Sequence, residues 1–182
     1  MGLIAKLLAS SPAPSDDFWY NPVVDTSTAG LRISPSTALT LSAVFACVRV
    51  LAQSLAQVPL IVYRRLPDGG KERAVDHPLY HVLHDQPNRR QTSFQFREMM
   101  MGHAALRGNA YAQIMPGPGG FADQLIPLHP DRMKPEFTVA GELRYRYWLP
   151  DGTVRFFSQE QIFHLSTMSD DGLEGLSLIT LA

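Results

Sequence analysis

Residues 76–84 read DHPLYHVLH, which places three of the chain's six histidines, His77, His81 and His84, at spacings of four and three. On a continuous helix that spacing stacks imidazoles along one side, as in a zinc site or an acid–base cluster. Asp170 and Asp171 with Glu174 offer a second chemistry, oxygen ligands for a divalent cation. Together the two groups would make a small metal-dependent hydrolase. His103, His129 and His164 stand beside apolar neighbours, and the chain contains no G-x-S-x-G nucleophile elbow. PGPGG at 116–120 is followed by Phe121 rather than by the Lys-Ser/Thr of a phosphate loop, so it reads as a hairpin turn.

The element carrying the three histidines limits what they can do. Pro78 suits the first turn of a helix, with Asp76 or His77 at the cap. At about 100° per residue, Leu79, Val82 and Leu83 share one arc, and His81 and His84 fall opposite it. Asp85, Pro87 and Asn88 follow at once, so the helix is hardly two turns long, and His77 at its cap points away from the other two. A zinc site needs further firm ligands and a partner orienting each ring. The sequence therefore predicts one helix cap and two solvent-facing histidines, and no metal or cofactor. The acidic trio lacks the calcium-loop pattern and reads as the entrance to a helix starting near Leu176.

Around these groups the chain divides in two. Residues 1–36 have the composition of a flexible arm, with four prolines after position 10. Its start, MGLIAKLLASS, is apolar for too short a stretch to be a secretory signal, and Lys6 occupies the place where myristoylation wants Ser or Thr. Phe18, Trp19 and Tyr20 are candidate docking aromatics within it. From residue 37 the pattern becomes periodic. Leu41, Val44, Phe45, Val48, Leu51, Leu55 and Val58 recur at helical steps up to the stop at Pro59. LIVYRR follows as a strand on which this helix packs, and PDGG makes a turn.

A second helix opens with Thr92 and Gln95 as a capping box, buries a face including Phe94, Met101 and Ala105, and stops at Gly108. NAYAQIM, ADQLIPL, LRYRYWL and QIFHLS read as strands, and YRYWLPDGTVRFF as a hairpin around Pro150-Asp151-Gly152. The expected fold is α+β over residues 37–182: a long amphipathic helix, short helices and mostly antiparallel strands.

The totals fit one domain of 182 residues with a proper core. A net charge of −1 gives no global basic field, which argues against a sequence-reading DNA-binding domain. It leaves room for a protein that only surrounds DNA, where strong attraction would hinder sliding. Arg64-Arg65, Lys71, Arg73 and Arg89-Arg90 lack the interleaved aromatics of a base-stacking platform and read as solvated surface. The single cysteine, Cys47, excludes an intrachain disulfide framework, and within AVFACVRV it reads as a small core residue. No apolar run approaches the roughly 18 residues that would cross a bilayer.

Five segments in order, TALTLSAVFACVRVLAQSLAQVPLIVYRR, HPLYHVLHDQPN, TSFQFREMMMGHAALRGNAYAQI, LIPLHPDRM and DGLEGLSLI, resemble the portal proteins of tailed bacteriophages. The matching pattern positions are His77, Pro78 and Leu79; Pro87 and Asn88; Arg107, Gly108, Asn109, Ala110 and Tyr111; and Gly172, Leu173, Gly175, Leu176 and Ser177. The resemblance implies fold-specifying roles for these residues in a portal wing-type domain, with no catalytic site. It further implies a homo-oligomer, a dodecameric ring in the full-length protein, located at the capsid vertex of the virion and in the host cytoplasm during assembly. Its implied partners are the terminase large subunit, the capsid and the head–tail connector proteins, with double-stranded DNA passing through unread and no membrane involved. Leu178 stands where the family tends to have Pro. Family members also continue through stem helices and a clip, so the resemblance implies a chain truncated at its C-terminus. A stand-alone adaptor module is the remaining alternative.

Overall fold

The computed structural model of the chain describes Ser34 and residues 38–179. Apart from Ser34, the expected arm over 1–36 lies outside the described residues. The elements, in chain order, are α1 (Ser42–Ala56), β1 (Tyr63–Arg65), β2 (Lys71–Arg73), α2 (Pro78–Tyr80) continuing as a π-type turn over His81–Asp85, and α3 (Ser93–Arg107). Strands β3 (Asn109–Pro116), β4 (Ala122–Leu128), β5 (Met133–Phe137), β6 (Leu143–Trp148), β7 (Val154–Ser158) and β8 (Ile162–Ser166) follow. Every pairing is antiparallel, in a β1-β2 ribbon and two three-stranded sheets ordered β4-β3-β8 and β5-β6-β7. The α+β expectation holds.

Strand β3 is the middle of both the sheet and the molecule. Strand alternation sends Ala110 and Ala112 to one face, where they pack with Phe96, Met100 and Ala104 of α3, with Val82, and with Leu125 of β4. Tyr111 goes to the other face, where Leu128, Ile162, Met133, Tyr145 and Phe157 join it to the second sheet. The layers are therefore helices, sheet, sheet. Helix α3 is held at its start by the predicted capping box: Gln95 N donates to Thr92 Oγ1 at 3.3 Å and Thr92 N to Gln95 Oε1 at 3.0 Å, a device worth about 1 kcal/mol. Its end is Gly108, left-handed at φ 78°.

Several expectations require correction. Helix α1 packs on α3 rather than on the following strand, and it does so through Ala52 and Ala56. Small side chains let the two helix backbones approach, and Arg97 of α3 seals the contact by donating to Ala56 O at 2.8 and 3.2 Å and to Leu83 O at 3.3 Å. The large residues expected in the core, Leu41, Phe45, Leu51, Leu55 and Val58, are exposed, and Cys47 is exposed with them. On α3 the buried face is Phe96, Met100, Ala104, Ala105 and Leu106, with Phe94 more than a third exposed. The sequence reading gives no strand at β2 or β5: KER has no apolar residue, and Pro135 argues against a strand in MKPEF although Met133, Pro135 and Phe137 alternate with Lys134 and Glu136. Among the described residues the acidic segment 170–174 leads into a loop and a turn at Leu178–Ile179; the remainder of the helix expected from near Leu176, residues 180–182, lies outside them.

The outer edge of β4 is closed. Leu125 N donates to Pro87 O at 2.7 Å, Asn88 Nδ2 donates to Leu125 O at 3.0 Å, and Pro127 has no N–H to offer. Asn88 is 5% exposed, and its Oδ1 also accepts from Arg90 N at 3.0 Å. Asn88→Ala leaves the buried Leu125 carbonyl unpaired and removes the partner of the Arg90 amide, and is expected to cost about 1–3 kcal/mol in urea unfolding, with an unchanged m-value.

Candidate functional site

The expected pattern residues fall in three places. At the start of α2, His77 is the cap: its Nδ1 accepts from Leu79 N at 3.2 Å, Pro78 fills the first turn, and the ring sits edge-on to Phe121 at 5.0 Å. His81 and His84 share a partner that the sequence reading missed, Asp85, at 3.2 and 2.6 Å. Hydrogen bonds from His84 and then His81 hold the Asp85 carboxyl below its usual range. Pro87 and Asn88 form the β4 edge clamp. No group of three His, Cys, Asp or Glu among the described residues is arranged to hold a metal ion.

The third place draws RGNAY and DGLEGLS together across 66 residues of sequence. Asn109, 8% exposed at the first position of β3, reads the Gly175 peptide with both halves of its amide. Its Nδ2 donates to Gly175 O at 3.1 Å and its Oδ1 accepts from Gly175 N at 2.9 Å. Gly108 O accepts from Thr167 N at 2.8 Å, and Thr167 Oγ1 lies 3.1 Å from that oxygen and 2.8 Å from Leu176 O. Ser177 Oγ donates to Leu106 O at 2.7 Å, one of the carbonyls α3 leaves open at its end.

Both glycines are dictated by the closeness of these two backbones. A Cβ on Gly108 would collide with the Gly175 carbonyl and stand 2.7 Å from Leu176 C. A Cβ on Gly175 would collide with Gly108 O and stand 2.6 Å from Thr167 N. Gly108 also needs the positive φ that only glycine adopts without strain. The loop between is shaped by Asp171, whose Oδ1 accepts from Leu173 N at 2.7 Å and Glu174 N at 2.8 Å around the left-handed Gly172. Those backbone and Ser169 hydrogen bonds hold the Asp171 carboxyl below its usual range. The carboxylate first considered as a cation ligand is a turn-former.

Behind Asn109 runs a chain of polar contacts the sequence reading did not find. His164 Nε2 is 2.9 Å from Asn109 Oδ1, an acceptor, so the ring's proton is on Nε2. Its Nδ1 then accepts from Tyr145 O–H at 3.3 Å. Tyr111, 2% exposed, stacks on the same imidazole at 4.4 Å. Burial lowers the His164 pKa and raises that of the Tyr111 phenol, so both rings are neutral. In the sequence, β3–β8 register would have been the only route to this contact, because it places Tyr111 opposite His164.

Arg107 ends α3 with an ion pair to Asp131 at 2.6 Å. One turn earlier, His103 lies with its ring 5.8 Å from that of His129, and its buried Nδ1 has no hydrogen-bond partner among the described residues. These groups cap and orient backbone.

A fold of this kind recurs in gene transfer agent (GTA) particles. A chain from the neck of an empty GTA particle superposes with a TM-score of 0.66 at 24% identity, over 95% of this chain and 44% of that one. The phage portal protein family model matches residues 42–182, and the chain belongs to that family, whose members are structural rather than enzymatic. The portal protein of Enterobacteria phage HK97 is 34% identical over 151 residues, covering 82% of this chain and 35% of the phage protein. Protein BeeE of Escherichia coli (strain K12) is 39% identical over 101 residues, 56% of this chain and 63% of BeeE. The chain thus spans less than two thirds of either relative.

The half-buried His103 gives this region a pH response. Burial first, then the charges of Arg107 and His129, lower His103 from 6.5 to about 4. In the unfolded chain the ring takes a proton below about pH 6.5, whereas the folded chain resists until about pH 4. Stability is therefore full above pH 6.5 and falls on acidification through that window, by about 3 kcal/mol. Urea unfolding at stepped pH should show this slope, and His103→Leu should flatten most of it.

Proposed function

We propose that the chain is the wing portion of a phage portal subunit, with residues 37–182 as the wing-type domain and residues 1–36 as its arm. The match of the family model to residues 42–182 carries this reading. In it, the pattern residues from His77 to Ser177 specify the fold, and the Gly108–Gly175 junction sets how the strands leave α3. The ring is homo-oligomeric and dodecameric, sits at the capsid vertex of the virion, and assembles in the host cytoplasm. DNA passes through it during packaging and ejection, while the terminase large subunit, the capsid and the head–tail connector proteins dock on its surfaces. A net charge of −1 supports a wall that surrounds DNA without gripping it. A ring of identical copies uses head-to-tail contacts that close at one angle.

The test is a graft. Residues 42–182 replace the matching segment of the HK97 phage portal protein, with the corresponding BeeE segment grafted as a control. The expected product is a ring by native mass spectrometry that supports DNA-filled heads. A graft that folds but stays monomeric, while the BeeE graft forms rings, contradicts the proposal.

A further inference from the structure

Strand alternation gives the β5-β6-β7 sheet two faces of different character. Tyr145 and Phe157 turn inward with Met133, and the residues between them turn out. On that outer face Arg144 Cζ lies 4.5 Å from the centre of the Phe156 ring, and Arg146 Cζ lies 5.7 Å from Phe156 and 5.9 Å from Trp148. Both guanidiniums grip one carboxylate, Glu136, each at 2.6 Å. Lys134, exposed and directly opposite Arg146, adds a cation that is in no ion pair among the described residues. Trp148 and Phe156 are exposed between these charges. Cations outnumber acids on this face, and arginine set among half-open aromatics is the composition of a protein-binding surface.

Its complement lies on the same chain, on the other side of the same sheet. The loop after β8 carries Asp170, Asp171 and Glu174, all exposed and none in an ion pair among the described residues. Met168, 74% exposed, stands beside them. Gly172 and Leu173 of this loop share a hollow with Leu143 and Tyr145, so the loop lies against the inner side of the sheet. A chain therefore cannot bring the loop to its own outer face. Two copies cannot exchange loops reciprocally either, because that needs both surfaces on one side. We infer that the acidic loop 168–174 of one copy docks on the outer face around Arg144, Arg146 and Trp148 of the next, in a head-to-tail contact. The face already holds the kind of anion it would take, the Glu136 carboxylate between its guanidiniums. Its rings lie against those guanidiniums rather than free to stack bases, as a nucleic-acid strand would need. The inference rests on the homo-oligomer proposed above only for closing such contacts into a ring.

Charge reversal on the intact chain tests it, read by sedimentation velocity and native mass spectrometry. Lys134→Glu with Trp148→Glu reverses the outer face and spares the Glu136 pairs. Asp170→Lys with Glu174→Lys reverses the loop and spares the turn made by Asp171. The unmodified chain is expected to associate reversibly at low salt and to come apart by about 0.5 M salt. Each variant alone should associate at least about tenfold more weakly, with like charge now facing like. Mixed one to one, the two should recover complexes containing both, because each reversed surface finds its opposite on the other variant. Urea midpoints check that both variants fold. An unmodified chain that stays monomeric, or whose association ignores salt, overturns the inference, as does a mixture that recovers nothing. Duplex DNA bound by the unmodified chain and lost with the reversed face, without association between copies, also overturns it and assigns the face to phosphates. Rings that fail to form from the graft while the two variants still recombine count against the portal reading and leave this contact standing.

Discussion

Two backbone segments pass so close at Gly108 and Gly175 that neither position has room for a Cβ, and the rest of the structure is arranged around that contact. Helix α3 must stop there in a left-handed residue, and β3 must begin one residue later with a side chain that can pair with a peptide. Asn109 meets this need because a carboxamide presents one donor and one acceptor in the geometry of a backbone group. Once Gly175 is fixed, Thr167, Leu176 and Ser177 are drawn in, and Ser177 closes back onto the last turn of α3. His164 and Tyr145 extend the polar chain into the second sheet. Inside a protein such a network is strong when every member is satisfied and costly when one is removed.

Helix α1 follows a different rule. Its contact with α3 centres on Ala52 and Ala56, which let the backbones come close, and Gln53 donates across it to Glu98 Oε1 at 2.9 Å. Larger residues on the neighbouring arc are left outside it. Apolar periodicity says that a helix has a partner, but not that the partner is the nearest element of the same domain. The sequence reading assigned that arc, with Cys47, to the core for this reason, and the structure moves it to the surface.

Much of the fold was legible because its signals are local. The Thr92–Gln95 capping box, the stop at Gly108, the Pro78 helix start and the Pro150-Asp151-Gly152 hairpin each depend on a few adjacent residues. The DHPLYHVLH segment was likewise readable as a cap with two outer histidines, though not the shared Asp85 that ties those two down. What stayed hidden required strand register or a loop returning from far along the chain. Asp171 looked like a ligand or a helix entrance because nothing near it reveals that its carboxylate wraps its own backbone. The meeting of RGNAY with DGLEGLS was carried only as pattern; its physical reason, two backbones with no space for side chains, exists in three dimensions alone.

The central claim is that this junction is part of the global fold rather than a loop resting on it. Amide hydrogen exchange at Thr167, Gly175 and Leu176, followed by NMR in low urea, tests it directly. If the junction anchors the fold, these three amides exchange only through global unfolding, with the same free energy and urea dependence as the central amides of β3. Exchange through a low-energy local opening, independent of urea while β3 stays protected, would contradict the account.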